Sequence, residues 1–170
     1  MERVENIAEA KNKVLYDMNA FILSIRQHAS DDISDLSDGL LKLRNIRTSV
    51  YENLNQIQHE YLILQGMVWL SNNGYDQQNI HWFWNPRQTG DSFEPDLRGV
   101  VNGAIVVSAE ATTSEKPQGV IDTRMRNTLA KLDQMKGDKY YFIRTSKMEQ
   151  RAKTKVTNKG WEISVIKIDD

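Results

Sequence analysis

Glu94-Pro-Asp-Leu-Arg-Gly-Val-Val-Asn-Gly-Ala-Ile-Val-Val-Ser-Ala-Glu-Ala-Thr112 is the stretch on which the fold turns. Asn-Gly between two runs rich in β-branched residues is the strongest short-range signal for a hairpin, so Glu94 to Val101 and Ala104 to Thr112 read as paired strands. Side chains alternate along a strand. Val106, Ser108, Glu110 and Thr112 therefore share one face, and Ile105, Val107, Ala109 and Ala111 the other. A carboxylate emerges where an apolar strand ends. An ideal two-residue turn pairs Val101 with Ala104, and counting outward then sets Asp96 opposite Ala109, with Asp96 and Glu110 on opposite faces. One extra residue, as in a bulge with Gly103 in the left-handed conformation, sets Asp96 opposite Glu110 instead. If the two acids act together, a bulged or three-residue turn is required.

Working outward, Ile80-His-Trp-Phe-Trp84 reads as a strand closed by Asn85-Pro86. A helix from about Val120 to Met135 carries Ile121, Met125, Leu129 and Leu132 on one face. Lys139 to Arg144 is a strand, Ser146 to Asn158 a helix with Ser146 as its cap, and Glu162 to Ile168 a last strand. The order predicts an α/β fold with a mixed central β-sheet flanked by helices.

The first third is helical by period. Val4, Ile7, Lys11, Val14, Met18, Phe21 and Ile25 keep a three-four spacing until the Ser30-Asp31-Asp32 cluster breaks it. A second helix begins at Leu40, runs through Leu43, Arg47, Val50, Leu54, Ile57, Tyr61, Leu64 and Val68, and stops near Asn72-Asn73-Gly74. Residues 1–54 are read as an N-terminal helical hairpin and 55–170 as the core. The narrow stripes suit either packing within the chain or coiled-coil pairing with a second copy, a homodimer.

Length and composition bound the answer. The chain has 170 residues, 39% of them hydrophobic, enough for one sizeable core and an appendage. Net charge is -1, from 22 basic and 23 acidic residues, so any nucleic-acid surface must come from local clustering. The absence of cysteine removes disulfides, thiolate nucleophiles and cysteine-ligated metal centres, and is compatible with a reducing cytosol. No apolar run approaches a membrane span and no signal core opens the chain, so an intracellular, cytoplasmic protein with no membrane association is expected.

Two close carboxylates without thiol or imidazole suit Mg²⁺, with Mn²⁺ as substitute, better than zinc. Such an ion makes a water nucleophilic and neutralises developing charge, which is what phosphodiester hydrolysis needs. Pro95-Asp96, the Glu110 fourteen residues on and the order of elements over roughly residues 55–168 resemble the PD-(D/E)XK nuclease superfamily, with its restriction endonucleases and Holliday-junction resolvases. The resemblance implies a restriction-endonuclease-like core in which Asp96 and Glu110 bind the metal, and it gives Glu60, on the preceding helix, an auxiliary place at the metal. It also implies a lysine two residues after the second acid. Thr112 stands there, and a threonine can orient water but brings no charge. Arg124 and Lys131, on one stripe of the following helix, are the favoured replacements, ahead of Lys116.

The expected function is a Mg²⁺-dependent endonuclease acting on DNA, two sites in a homodimer serving two strands. The alternative is a nuclease-like module without catalysis, binding nucleic acid or assembling through its N-terminal coiled coil. Lys116, Arg126, Lys147, Arg151 and Lys155 are candidate phosphate contacts, the last three spaced by four along one helix face; a solvated face is the other reading. Arg87, Arg98, Arg124 and Arg126 would add charge at the mouth. Trp82, Phe83 and Trp84 read as core rather than a stacking platform. His59, beside Glu60, reads as a helix-surface residue.

Overall fold

The computed structural model describes residues 1–30, 32–75, 79–86 and 93–169. They form a six-stranded mixed sheet and four helices. Strands are β1 (Glu2–Val4), β2 (His81–Trp84), β3 (Leu97–Val101), β4 (Ala104–Thr112), β5 (Asp138–Ile143) and β6 (Ser164–Lys167). Helices are α1 (Ile7–Ala29), α2 (Leu36–Asn72), α3 (Val120–Asp133) and α4 (Ser146–Lys159). The strands lie side by side in chain order. Pairs β1–β2, β2–β3 and β3–β4 are antiparallel, while β4–β5 and β5–β6 are parallel with α3 and α4 as crossovers.

Local chemistry sets the ends of these elements. Asn6 accepts from the Glu9 amide at 2.8 Å to cap α1, and Asp35 accepts from the Asp38 amide at 2.9 Å to cap α2. The Asp38 carboxylate in turn accepts from the Ser34 amide at 3.0 Å. The cap of α4 is Thr145, one residue before the expected Ser146, because its hydroxyl reaches the Met148 amide at 3.3 Å. Val4, read as the first residue of a helical stripe, lies instead in an edge strand opposite Trp82. Three residues are too few for a strand period to stand out from a helical one. Among the described residues no helix is long and apolar enough to cross a membrane.

Two apolar layers cover the sheet. On one face Val14, Leu62, Met67 and Leu70 of the first two helices pack over Trp82, Trp84, Leu97 and Phe142. On the other, Met125, Leu129, Leu132 and Met148 cover Tyr141, Ile143 and Val165. Both tryptophans are buried, as a core reading expects. Gly66 lets α2 approach the sheet closely: a Cβ there would sit 2.6 Å from Phe142 Cδ2. Gly66→Ala is therefore expected to cost about 2 kcal/mol through overpacking and to lower Tm by roughly 5 °C in thermal unfolding. An unchanged Tm would mean that Phe142 moves aside freely.

The hairpin carries its extra residue, but not in the turn. Asn102 (φ 48°) and Gly103 (φ 80°) form a tight two-residue turn that pairs Val101 with Ala104. The shift comes further along, where Val100 pairs with Ile105 and Gly99 with Val107, so Val106 is the unpaired residue of a bulge. Beyond it Arg98 faces Ser108 and Leu97 faces Ala109, and the same count carried one step past the strand end sets Asp96 level with Glu110. Gly99 fits the bulge because a Cβ would lie 3.0 Å from Trp82 Cζ3 and 3.3 Å from Val107 Cβ.

Candidate active site

Asp96 and Glu110 emerge from the ends of neighbouring strands and are almost fully covered, at 2% and 3% exposure. β3 stops opposite Ala109, which leaves the Ala111 amide without a strand partner on that side. The Asp96 carboxylate takes its place, Oδ2 accepting from Ala111 N at 2.8 Å. The same oxygen lies 3.2 Å from His59 Nε2. The other, Oδ1, is buried and has no hydrogen-bond donor among the described residues. A buried carboxylate oxygen without a donor is costly, and a cation would relieve it.

Glu110 is the strained member of the pair. Burial, then the neighbouring charge of Asp96, push its carboxyl well above the ordinary carboxylate range, to about 8, against the opposing pull of Lys131. The Lys131 ammonium, reaching across from α3, forms an ion pair with Glu110 Oε1 and donates to the Glu94 carbonyl at 3.3 Å. The replacement cation expected on the helix after β4 thus stands on the second acid.

The cleft around the pair has a volume of about 620 Å³. Thr112, Arg124, Gln56 and His59 are among its walls, with Ile121 and Met125 forming an apolar side. Thr112 shares a hydrogen bond with the Tyr141 hydroxyl, and Tyr141 pairs with Glu110 across the parallel β4–β5 ladder. Burial, followed by the charges of Glu110 and Asp96, pushes the Tyr141 phenol upward, so it remains a neutral donor. Tyr141 is a site residue that the parallel register could have revealed.

His59 is not a surface residue. Burial by itself would lower its pKa, but the hydrogen bond and charge of Asp96, the Pro86 carbonyl at 3.4 Å from Nδ1 and the charge of Glu110 together raise it. Glu60, one residue on, is fully buried and does not line this cleft. Its carboxylate meets Lys13 of α1 at 3.3 Å and Gln56 at 3.3 Å, and Lys13 also lies over the Trp84 ring. Adjacent helix residues point about 100° apart, which separates the two. Among the described residues no group of three or more acidic or histidine side chains is gathered for a metal. The cleft offers a pair of carboxylates. A pair fits Mg²⁺, which keeps several of its waters.

The basic residues are dispersed. Arg151 and Lys155 both bind Asp122, at 2.7 and 2.9 Å, and hold its carboxyl well below the usual range, so half of their charge is already matched. Lys116 and Lys147 line a separate depression with Gln150 and Thr154. Arg126 is exposed on α3, Arg98 sits in β3 opposite Ser108, and Arg87 lies outside the described residues. No protein-family model, curated protein or solved structure matches this chain.

Proposed function

We propose that this chain is a Mg²⁺-dependent nuclease of the PD-(D/E)XK kind, hydrolysing phosphodiester bonds of DNA in the cleft between β3, β4 and α3. One observation carries the reading: a one-residue bulge brings Asp96 and Glu110 together, with a lysine on the second acid. Asp96 Oδ1 and the Glu110 carboxylate are the groups that would hold the ion. An ion bound there would make a water more acidic and offset charge on the phosphate.

The chain's own residues complete the chemistry. Ala111 N and His59 fix Asp96 through Oδ2, which leaves Oδ1 as the oxygen without a donor. Lys131 supplies the positive charge that Thr112 cannot, stabilising the phosphate as negative charge builds on it. The Thr112 hydroxyl, oriented by Tyr141, positions water. Arg124 at the wall takes a flanking phosphate, giving affinity without sequence choice.

The test is cleavage of plasmid DNA by the purified chain with Mg²⁺, Mn²⁺ or chelator. Metal-dependent nicking that disappears in Asp96→Ala is expected. Thr112 favours a second reading, a nuclease-like module that binds nucleic acid without cutting it. Calorimetric titration separates the two: Mg²⁺ and Mn²⁺ that give no binding heat, together with intact DNA, would favour the second.

A further inference from the structure

α2 is 37 residues long, about 55 Å, and only part of it rests on the sheet. Before Ile57 the one buried residue in it is Gly39. Its first half therefore projects alongside α1 with no sheet beneath it. Such a two-helix projection should be polar on its outside, and this one is not. Leu36 is 94% exposed and Leu43 62%, with Leu40 and Leu54 also open to solvent. These four fall on one three-four stripe with Arg47 and the half-buried Val50.

We infer that this stripe is covered by a second copy of the same chain, packed antiparallel so that the two projections form a four-helix bundle. The spacing is self-complementary, as a two-fold interface requires. Positions 36, 40, 43, 47, 50 and 54 are symmetric about Asn45. An antiparallel copy sets Leu36 against the second copy's Leu54, Leu40 against Val50 and Leu43 against the methylene stem of Arg47. The area is also adequate. Leu36 to Leu54 spans about 27 Å of helix, and two helices side by side about 20 Å, giving roughly 500 Å² in plan. That is of the same order as the about 800 Å² of accessible surface each partner covers in a stable dimer. Mixed charge on the flanks, from Asp38, Lys42, Arg44 and Glu52, fits a protein partner better than a lipid surface.

Sedimentation and light scattering of the full chain test this. Twice the 19.6 kDa of one chain is expected at tens of micromolar. Leu36→Glu with Leu43→Glu should raise the dimer Kd at least about 100-fold. The circular dichroism should not change, because both side chains are already exposed in the single chain. A wild type that stays at 19.6 kDa, as it would if another protein covers the stripe, overturns the inference, and so does a double variant that remains dimeric. The cysteine-free sequence permits a second check. Mixed Leu36→Cys and Leu54→Cys chains should cross-link to each other under oxidation. Leu36→Cys cross-linking mainly to itself would overturn the antiparallel arrangement. None of these readouts depends on nuclease activity.

Discussion

Glu110→Gln is expected to abolish Mg²⁺-dependent cleavage and, in the same preparation, to raise the melting temperature at pH 8. The two effects have one cause. Burial, then the neighbouring charge of Asp96, push the Glu110 carboxyl up to about 8 in the folded chain from an ordinary 4.5. A carboxyl whose folded pKa is raised favours folding in its protonated form. That contribution is full below about 4.5 and is lost as pH rises through about 8. Glutamine mimics the protonated form and removes the loss. Wild type and variant should therefore melt together near pH 4 and diverge toward pH 8, by about 5 °C or more. Added Mg²⁺ should close the gap by stabilising wild type, more at pH 8 than at pH 5, and should do little for the variant. Activity should fall at least about 10³-fold, roughly 4 kcal/mol of transition-state stabilisation. A variant that still cuts, or melting curves that stay parallel across pH, would remove Glu110 from the site.

Lys131→Ala should lower kcat by about 10²-fold with a smaller change in KM, since its charge is needed most when the phosphate bears most charge. It should also shift the pH–rate profile. Without the ammonium, the Glu110 carboxyl loses the one interaction that opposes its upward shift, so the acidic limb moves to higher pH. A structural role alone would not produce that displacement. Thr112 offers a rescue, because its side chain leaves β4 on the same face as Glu110, two residues further on. Thr112→Lys in the Lys131→Ala background should recover roughly tenfold in kcat. Full activity in Lys131→Ala would assign the cationic role to another residue.

Much of this was legible in the chain. The Asn102-Gly103 signal, the alternation through Ala104–Thr112 and the helical periods over residues 120–159 are local patterns, and local patterns survive in a sequence. The need for one extra residue between Asp96 and Glu110 was legible too, by counting. Its location was not. The bulge lies opposite Gly99, where Trp82 of a third strand leaves no room for a Cβ, and that contact is not local. Non-local pairing also hides β1, whose three residues acquire meaning only beside β2. The exchange of Glu60 for His59 has a different origin. A stripe fixes which face of a helix is apolar but not its rotation to within one residue, and near the site one residue decides between a salt bridge with Lys13 and a contact with Asp96. Lys131 was within reach because the resemblance pointed to the helix after β4 and Lys131 shares a stripe there with Arg124.

Beyond the bulge at Val106, spacing matters as much as side-chain identity at this site. Were a paired residue beyond the bulge deleted, Ala109 for instance, Glu110 would slide into the place opposite Leu97 and pass through to the layer occupied by Leu62 and Phe142 with no acid altered, whereas loss of the unpaired Val106 would leave every later pair as it is. Over evolutionary time the paired stretch from Val107 to Glu110 should then accept many substitutions and very few changes of length. In any aligned set of descendants, a constant interval between the end of the bulge and the second carboxylate would be the lasting trace of the proposed active site, persisting where neighbouring residues have drifted.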